Sequence, residues 1–399
     1  MSRVSLFAAA AFIFVMFVGS TVPTPLYAIY ARTVGFSEAV LTLIFSGYVV
    51  GTLASLFLLG RLSDQAGRRP VALLAIGIAA LSAIAFLLAH TTAMLFVARV
   101  LTGIAVALGS GTGTAWIVEL YHSEDRQRAT VVSTVANLIG LAFGPLVAGV
   151  LAAYTKAPTT LPFVVYLGLL IAAGIAVWGS CETVKHPSRV VVRPRLGVPR
   201  ELWSQFALPA TIAFVTMAVS GFYFALLPSM LTRTLHLANP ALGGAIVAEF
   251  SVGATIAVVA TRALSSRWCA LAGVSLFLPA LGVLVAAERD RSLAMLIAAA
   301  ALGGVAMGLA YRGSLQLVNE MAPSDRRAEM VSSYMVACFA GLALPTIGTG
   351  VLSQRVDPVL ADEIFAIAMA ALAALAITTL LSRGLADRRH HARPASAAR

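Results

Sequence analysis

The sequence predicts an all-α membrane protein of twelve transmembrane helices arranged as two pseudo-symmetric six-helix bundles. Three observations lead there. Of 399 residues, 59% are apolar and 11% are charged, whereas soluble domains are about 45–50% apolar and about 25% charged. Uncharged runs long enough to cross a bilayer recur from one end of the chain to the other. The two halves also resemble each other at an offset near 200 residues.

A hydrocarbon core roughly 30 Å thick takes about 20 apolar residues per helix. Uncharged runs occupy residues 4–31, 39–60, 70–98, 100–118, 129–155, 157–181, 202–232, 268–287, 292–311, 330–354 and 364–382, and one more at 240–261 is interrupted only by Glu249. Backbone in lipid must satisfy its own hydrogen bonds, and the runs lack the two-residue alternation of barrel strands, so each is read as a helix. The first run follows a short start carrying Arg3. Its length, and the similar runs after it, favour a retained helix over a signal peptide.

The net charge is +11, from 28 Lys and Arg against 17 Asp and Glu. With the N-terminus inside, the segments on that side hold Arg3, Arg61, Arg68, Arg69, Arg126, Arg128, Lys185, Arg189, Arg193, Arg195, Arg200, Arg262, Arg267, Arg326, Arg327 and the tail from Arg383. The opposite side holds Arg32, Lys156, Arg233, Arg289, Arg291 and Arg355, while Arg99 and Arg312 stay inside spans. The positive-inside rule then places both termini in the cytoplasm. The basic excess reads as membrane topology, and no nucleic acid is expected as a partner. Three cysteines without ligand spacing predict neither a disulfide framework nor a metal site. No nucleophile with a base and no glycine-rich phosphate loop is present, so neither a cofactor nor an enzyme is expected.

The longest hydrophilic connection, residues 182–201, mixes Lys185 and four arginines with Pro187, Pro194 and Pro199, and divides the spans six and six. The expected organisation is a first bundle at 1–181, a cytoplasmic linker at 182–201, read as a solvated tether to anionic headgroups, and a second bundle at 202–399. The stretch from Arg388 to Arg399, with His390 and His391, is expected as a basic disordered tail. Leu101, Gly103, Ala105, Leu108 and Glu119 match Leu302, Gly304, Ala306, Leu309 and Glu320; Asp125, Arg126, Ser133 and Pro145 match Asp325, Arg326, Ser333 and Pro345. Duplicated bundles about a pseudo-two-fold axis enclose a cavity suited to alternating access.

Between the second and third runs stands Gly60-Arg61-Leu62-Ser63-Asp64-Gln65-Ala66-Gly67-Arg68-Arg69-Pro70. Gly60 and Gly67 suit a tight turn and close helix approach, and Asp64 is placed to cap a helix or pair with Arg68. This loop resembles the signature of the major facilitator superfamily. The resemblance implies a charge latch at the cytoplasmic mouth built from Gly60, Asp64, Gly67, Arg68 and Arg69. Gln65 stands where the family usually has a basic residue, and the matching loop Arg262 to Trp268 lacks the motif, so the latch should be weaker here.

Arg99, four residues before Gly103, resembles the family's intramembrane arginine motif. A buried arginine in a span points to function unless it snorkels to the interface. Gly140, Gly144, Pro145 and Gly149 resemble the motif of the antiporter branches, most often exporters of drugs or other small compounds. Antiport needs a group that exchanges a proton within the membrane, and Glu249 is the one acid well inside a run; it is expected to couple protons with Arg99, or else to serve in a structural hydrogen bond or an ion pair with Arg99 or Arg312. Glu119 and Glu320 are expected to face Arg126, Arg128, Arg326 and Arg327. Pro23, Pro25 and Pro228 suggest kinks near the outer ends of the first and seventh helices. Arg312, Tyr311, Phe222, Tyr223 and Tyr27 are candidates for the substrate cavity.

These features together predict a monomeric secondary transporter of the bacterial cytoplasmic membrane, with a small-molecule substrate, protons and the lipid bilayer as partners. Proton-coupled efflux is the leading reading, and its alternative is proton-coupled uptake of a small metabolite such as a sugar or organic acid. The first run carries no acid where many drug exporters of this family do, which counts against efflux.

Overall fold

The computed structural model describes residues 3–121, 126–185 and 197–391. Most of the expected linker, the loop containing Asp125, and the tail from residue 392 lie outside the described residues. Twelve helices are long and apolar enough to cross a membrane: α1 Val4–Gly35, α2 Glu38–Leu59, α3 Arg68–Leu87, α4 Thr92–Leu120, α5 Arg128–Tyr154, α6 Leu161–Trp178, α7 Arg200–Arg233, α8 Pro240–Ala260, α9 Ser266–Arg289, α10 Leu293–Met321, α11 Arg327–Leu352 and α12 Pro358–Ser382. An even number of crossings puts both ends of the chain on one side. That side is called the terminal face below, and the other the distal face.

The helix bounds correct the run-based ones in an instructive way. The run at 70–98 spans both α3 and the turn that follows it, and α4 begins at Thr92, so Arg99 lies seven residues inside a helix, as expected of a residue within a span. Likewise α2 begins at Glu38, α7 ends at Arg233, α9 reaches Arg289, and α12 starts at Pro358, six residues before the uncharged run. Beyond its span the last helix continues to His391, so the first residues of the expected tail are helical.

The bundles repeat one packing pattern. In the first, α4 packs on α1, α2 and α3, α5 on α1, and α6 on α1 and α3; in the second, α10 packs on α7, α8 and α9, α11 on α7, and α12 on α7 and α9. The joints between bundles obey the same symmetry, since α5 meets α8 and α2 meets α11. The helices that open each bundle are both broken at matching depth. In α1 a tight turn follows Pro23 at Thr24–Leu26 and a wide turn occupies Ala31–Gly35; in α7 a wide turn occupies Phe222–Leu226 just before Pro228. Proline removes a backbone donor and disrupts the ladder.

Without a hydrophobic force between helices in lipid, association depends on close packing, and small residues at the joints permit it. At the α5–α8 joint an added Cβ on Gly149 would lie 2.4 Å from the Pro240 carbonyl oxygen, and one on Gly244 would lie 2.1 Å from that of Pro145. These contacts sit at the end of α5 and the start of α8, on the distal face. The α2–α11 joint is also distal: the Gln354 side-chain amide donates to Ser37 Oγ at 2.7 Å. Nearer the terminal face, Thr255 and Val259 on the α5 side of α8 are partly exposed. The bundles are thus shut against each other on the distal side.

Candidate transport site and gates

The loop between α2 and α3 folds as a short helix, Leu62–Ala66, followed by Gly67 at φ 108°, which L side chains rarely adopt. Gly60 has ordinary helical backbone, φ −59°, so only the second glycine is required by conformation. Arg68 is buried, and its guanidinium gathers three partners: Asp64 at 2.5 Å, Glu119 of α4 at 2.6 Å, and Ser63 Oγ at 2.7 Å. Glu182, the first linker residue, accepts from the backbone N–H groups of Arg68 and Arg69, both at 2.9 Å, and so caps α3. The Thr183 hydroxyl donates to Glu119, and Arg69 lies 4.9 Å from the Trp178 ring centroid. These partners all belong to the first bundle and the start of the linker. Glu119 thus engages Arg68 of its own bundle, and Glu320 accepts from Ser266 Oγ at 2.8 Å.

Arg99 does not snorkel. It is 1% exposed, donates to the Ser20 carbonyl at 2.9 Å, and has its Cζ 5.7 Å from the ring centroid of Tyr27 and 5.3 Å from those of Phe45 and Tyr48. Cation–π attraction in a desolvated site offsets part of the burial cost. Among the described residues no acid pairs with it, and its Nε and the Tyr27 hydroxyl are both buried without a partner.

Gly140, Gly144, Pro145 and Gly149 join three helices. Gly140 and Gly144 abut α1, where added Cβ atoms would lie 2.5 Å from the carbonyl oxygens of Phe14 and Val18; Pro145 and Gly149 abut α8. The motif thus runs from a contact within the first bundle to the contact between bundles.

Glu249 has the expected depth but an unexpected direction. At 3.6 residues per turn, Glu249, Val252 and Ile256 share one stripe of α8, and Val252 and Ile256 are 46% and 61% exposed. Gly244 faces α5, while Phe250 and Ala254 face Gly304 and Gly308 of α10. Ser251 and Thr255 carry the polar face beside α5. Glu249 therefore stands on the bundle perimeter, and among the described residues it has no ion pair with Arg99, Arg312 or any other group.

The remaining cavity candidates are also displaced. Tyr27, Phe222 and Tyr223 are at most 1% exposed, with Phe222 stacked on Phe365 at 5.1 Å and Tyr223 on Phe250 at 4.5 Å. These rings pack the bundle interiors instead of lining an open chamber. Arg312 turns to the terminal end of α8, donating to the carbonyls of Thr261, Arg262 and Leu264. It satisfies carbonyls that a helix end leaves unpaired. Tyr311 lies against Tyr334, with ring centroids 6.3 Å apart.

One site escaped the sequence reading. On the distal face Arg233 of α7 meets Glu38 of α2 at 2.7 Å, Asp362 of α12 at 2.7 Å and Glu288 of α9 at 3.3 Å. Thr234 Oγ1 donates to Glu288 at 3.0 Å. Three helices of the second bundle and one of the first meet at this guanidinium. The available signal was that Glu38, Arg233 and Glu288 each border an uncharged run, and Asp362 stands one residue further out, all on the same side.

The chain matches the Major Facilitator Superfamily over residues 9–344. It is 25% identical over 315 residues to the multidrug resistance protein MdtL of Klebsiella pneumoniae strain 342, covering 76% of this chain and 77% of that one. With MdtL of K. pneumoniae subsp. pneumoniae a 108-residue stretch is 32% identical, which is 27% of either chain. The fold resembles that of a bacterial homologue of the human lysosomal transporter Spinster, described as inward-facing and occupied, with TM-score 0.74 at 16% identity over 97% of this chain and 98% of that one. Together with the duplicated bundles and the α2–α3 loop, this match shows that the chain belongs to the major facilitator superfamily and is a multi-pass transporter, not an enzyme.

Proposed function

We propose that the protein is a proton-coupled antiporter that exports small molecules or drugs across a bacterial cytoplasmic membrane, acting as a monomer with the terminal face in the cytoplasm. The observation that carries this reading is the α5 seam. Gly144, Pro145 and Gly149 let α1, α5 and α8 meet closely where the bundles join, and the same spacing marks antiporters of the superfamily. A tight distal seam keeps protons from leaking while the opposite side is accessible. The similarity to MdtL supports efflux of drug-like compounds, and the excess of Lys and Arg on the terminal face, 20 to 6 counted from the sequence, supports the orientation.

The competing reading is proton-coupled uptake, favoured by the lack of an acid among the uncharged residues of α1. Proteoliposomes with an imposed pH gradient separate the two. With ethidium as probe, antiport moves dye against the direction of proton flow; movement of dye and protons in the same direction sinks the export reading.

A further inference from the structure

The Arg233 cluster is unbalanced. Three carboxyl groups face one guanidinium, a net charge of −2 if all are ionised, and Glu288 and Asp362 are only 2% and 6% exposed. Both carboxyl groups converge on one nitrogen, Nη2 of Arg233, Glu288 at 3.3 Å and Asp362 at 2.7 Å. Two carboxyl groups gathered on one donor in a poorly solvated site strongly resist joint ionisation, and a proton shared between them relieves the repulsion. Glu38, by contrast, approaches from the other bundle and is partly exposed.

We propose that Glu288 and Asp362 form a proton-binding pair on the distal face, in which one shared proton, taken from the distal solution, holds the two bundles together. With the proton present, the pair carries a single negative charge and Arg233 is shared with Glu38 across the joint. When the proton returns to solution, the pair carries two negative charges, draws Arg233 into its own bundle and repels the Glu38 carboxylate. The joint then opens. Other charges on this face do not replace the proton: Arg289 is occupied by Glu363 at 2.5 Å, and Arg32 donates to the Ala28 carbonyl at 3.2 Å. His236, Arg355 and Asp357 stand in the turns bordering the cluster. The sign suits antiport, because a proton arriving from the distal side closes that side behind it. This inference rests on the proton-coupled reading for its role in transport, but the pair and its effect on the joint are testable without it.

The test measures gate position directly. Spin labels at His90→Cys and Asp290→Cys, on distal turns of the two bundles and in a Cys181→Ser background, report the distance between them in detergent. For one linked proton, the distal-open to distal-closed ratio should rise with pH by up to about tenfold per unit. Glu288→Gln and Asp362→Asn should each flatten that dependence and leave the closed form dominant, while Asp362→Glu should retain it. A flat wild-type response, or variants that titrate as the wild type does, overturns the proposal. Should both neutral variants misfold, as judged by size exclusion, the wild-type response and Asp362→Glu decide alone. Flux in proteoliposomes judges the other reading: a titrating gate without gradient-driven flux defeats antiport and leaves the pair standing, whereas coupled flux with a flat gate defeats the pair.

Discussion

Nη1 of Arg233 donates to both carboxylate oxygens of Glu38, at 2.9 and 2.7 Å, and so ties the end of α7 to the start of α2 across the joint between the bundles. Each residue has a different stake in that bond. Arg233 also neutralises Glu288 and Asp362 within its own bundle, whereas Glu38 has no other cation among the described residues.

From this asymmetry, Arg233→Gln should be far more damaging than Glu38→Gln. The first leaves two buried carboxyls without a counter-charge, and stranding a buried charge costs about 3–5 kcal/mol. The second removes only the tie between bundles. Glu38→Gln should therefore keep nearly wild-type thermal stability in detergent while raising thiol labelling of a cysteine introduced on the distal face, as in His90→Cys. Equal loss of stability in the two variants would contradict the division of roles.

The α5–α8 seam makes a second expectation. A methyl group on Gly244 would lie 2.1 Å from the Pro145 carbonyl, whereas Gly282, in the middle of α9, has no atom within 4 Å of such a methyl. Overpacking costs about 1–3 kcal/mol, and here only the distal-closed state bears it. Gly244→Ala should shift the population toward the distal-open state by roughly tenfold, each 1.4 kcal/mol being about a factor of ten. Gly282→Ala should leave the label distances unchanged. A Gly244→Ala protein that remains closed would show that the seam does not set the gate.

Much of this architecture is legible in the sequence. Helix number, the division into halves and the α2–α3 loop follow from run length, repeat spacing and turn chemistry, which are local properties. What stayed hidden has a common cause. A span defined by the absence of charge excludes Glu38, Arg233, Glu288 and Asp362 by construction, although all four lie within helices. Depth along a helix is readable from sequence, but direction around it depends on which neighbours pack where, and so Glu249 looked central while standing on the perimeter. Arg312 looked like a cavity residue because its partners are backbone carbonyls, which every sequence position offers alike. Phe222 and Tyr223 stack inside their own bundle for the same reason: aromatic residues near a kink suit a cavity wall and a packed interior equally.

The perimeter position of Glu249 gives a third expectation. Glu249→Gln should retain most gradient-driven flux, because the half-buried residue shares its face with Val252 and Ile256 and has no ion pair among the described residues. Flux measured at matched protein density checks this. A variant that binds the probe but no longer responds to the pH gradient would restore Glu249 as the coupling group.

The terminal face offers a fourth. Glu182 accepts four backbone N–H groups, those of Arg68, Arg69, Thr183 and Val184, each at 2.9 Å. Replacing a capping side chain costs about 0.5–2 kcal/mol, and Glu182→Ala should free the start of the linker from α3. Hydrogen exchange at residues 183–185 should rise sharply while exchange in α3 beyond its first turn stays low. Arg68→Lys should do less to exchange but more to stability, since an ammonium cannot serve Asp64, Glu119 and Ser63 with the geometry of a guanidinium.

Arg99 separates folding from function most cleanly. An arginine at the centre of a span costs about 2.5–3.5 kcal/mol on insertion scales; Arg99, seven residues into α4, bears part of that cost and has a carbonyl and three aromatic rings but no acid among the described residues to offset it. Were its role structural, removing it would be harmful. Replacing a buried charge by an apolar side chain of similar volume is often neutral or stabilising by about 1–4 kcal/mol. Arg99→Met should therefore express and melt at or above the wild-type temperature, yet lose gradient-driven transport. Arg99→Lys keeps the charge but gives up planar stacking between Phe45 and Tyr48, and should fall between the two in transport. A destabilised Arg99→Met protein would mean that the guanidinium holds α4 to α1 through Ser20 and takes no part in the transport cycle.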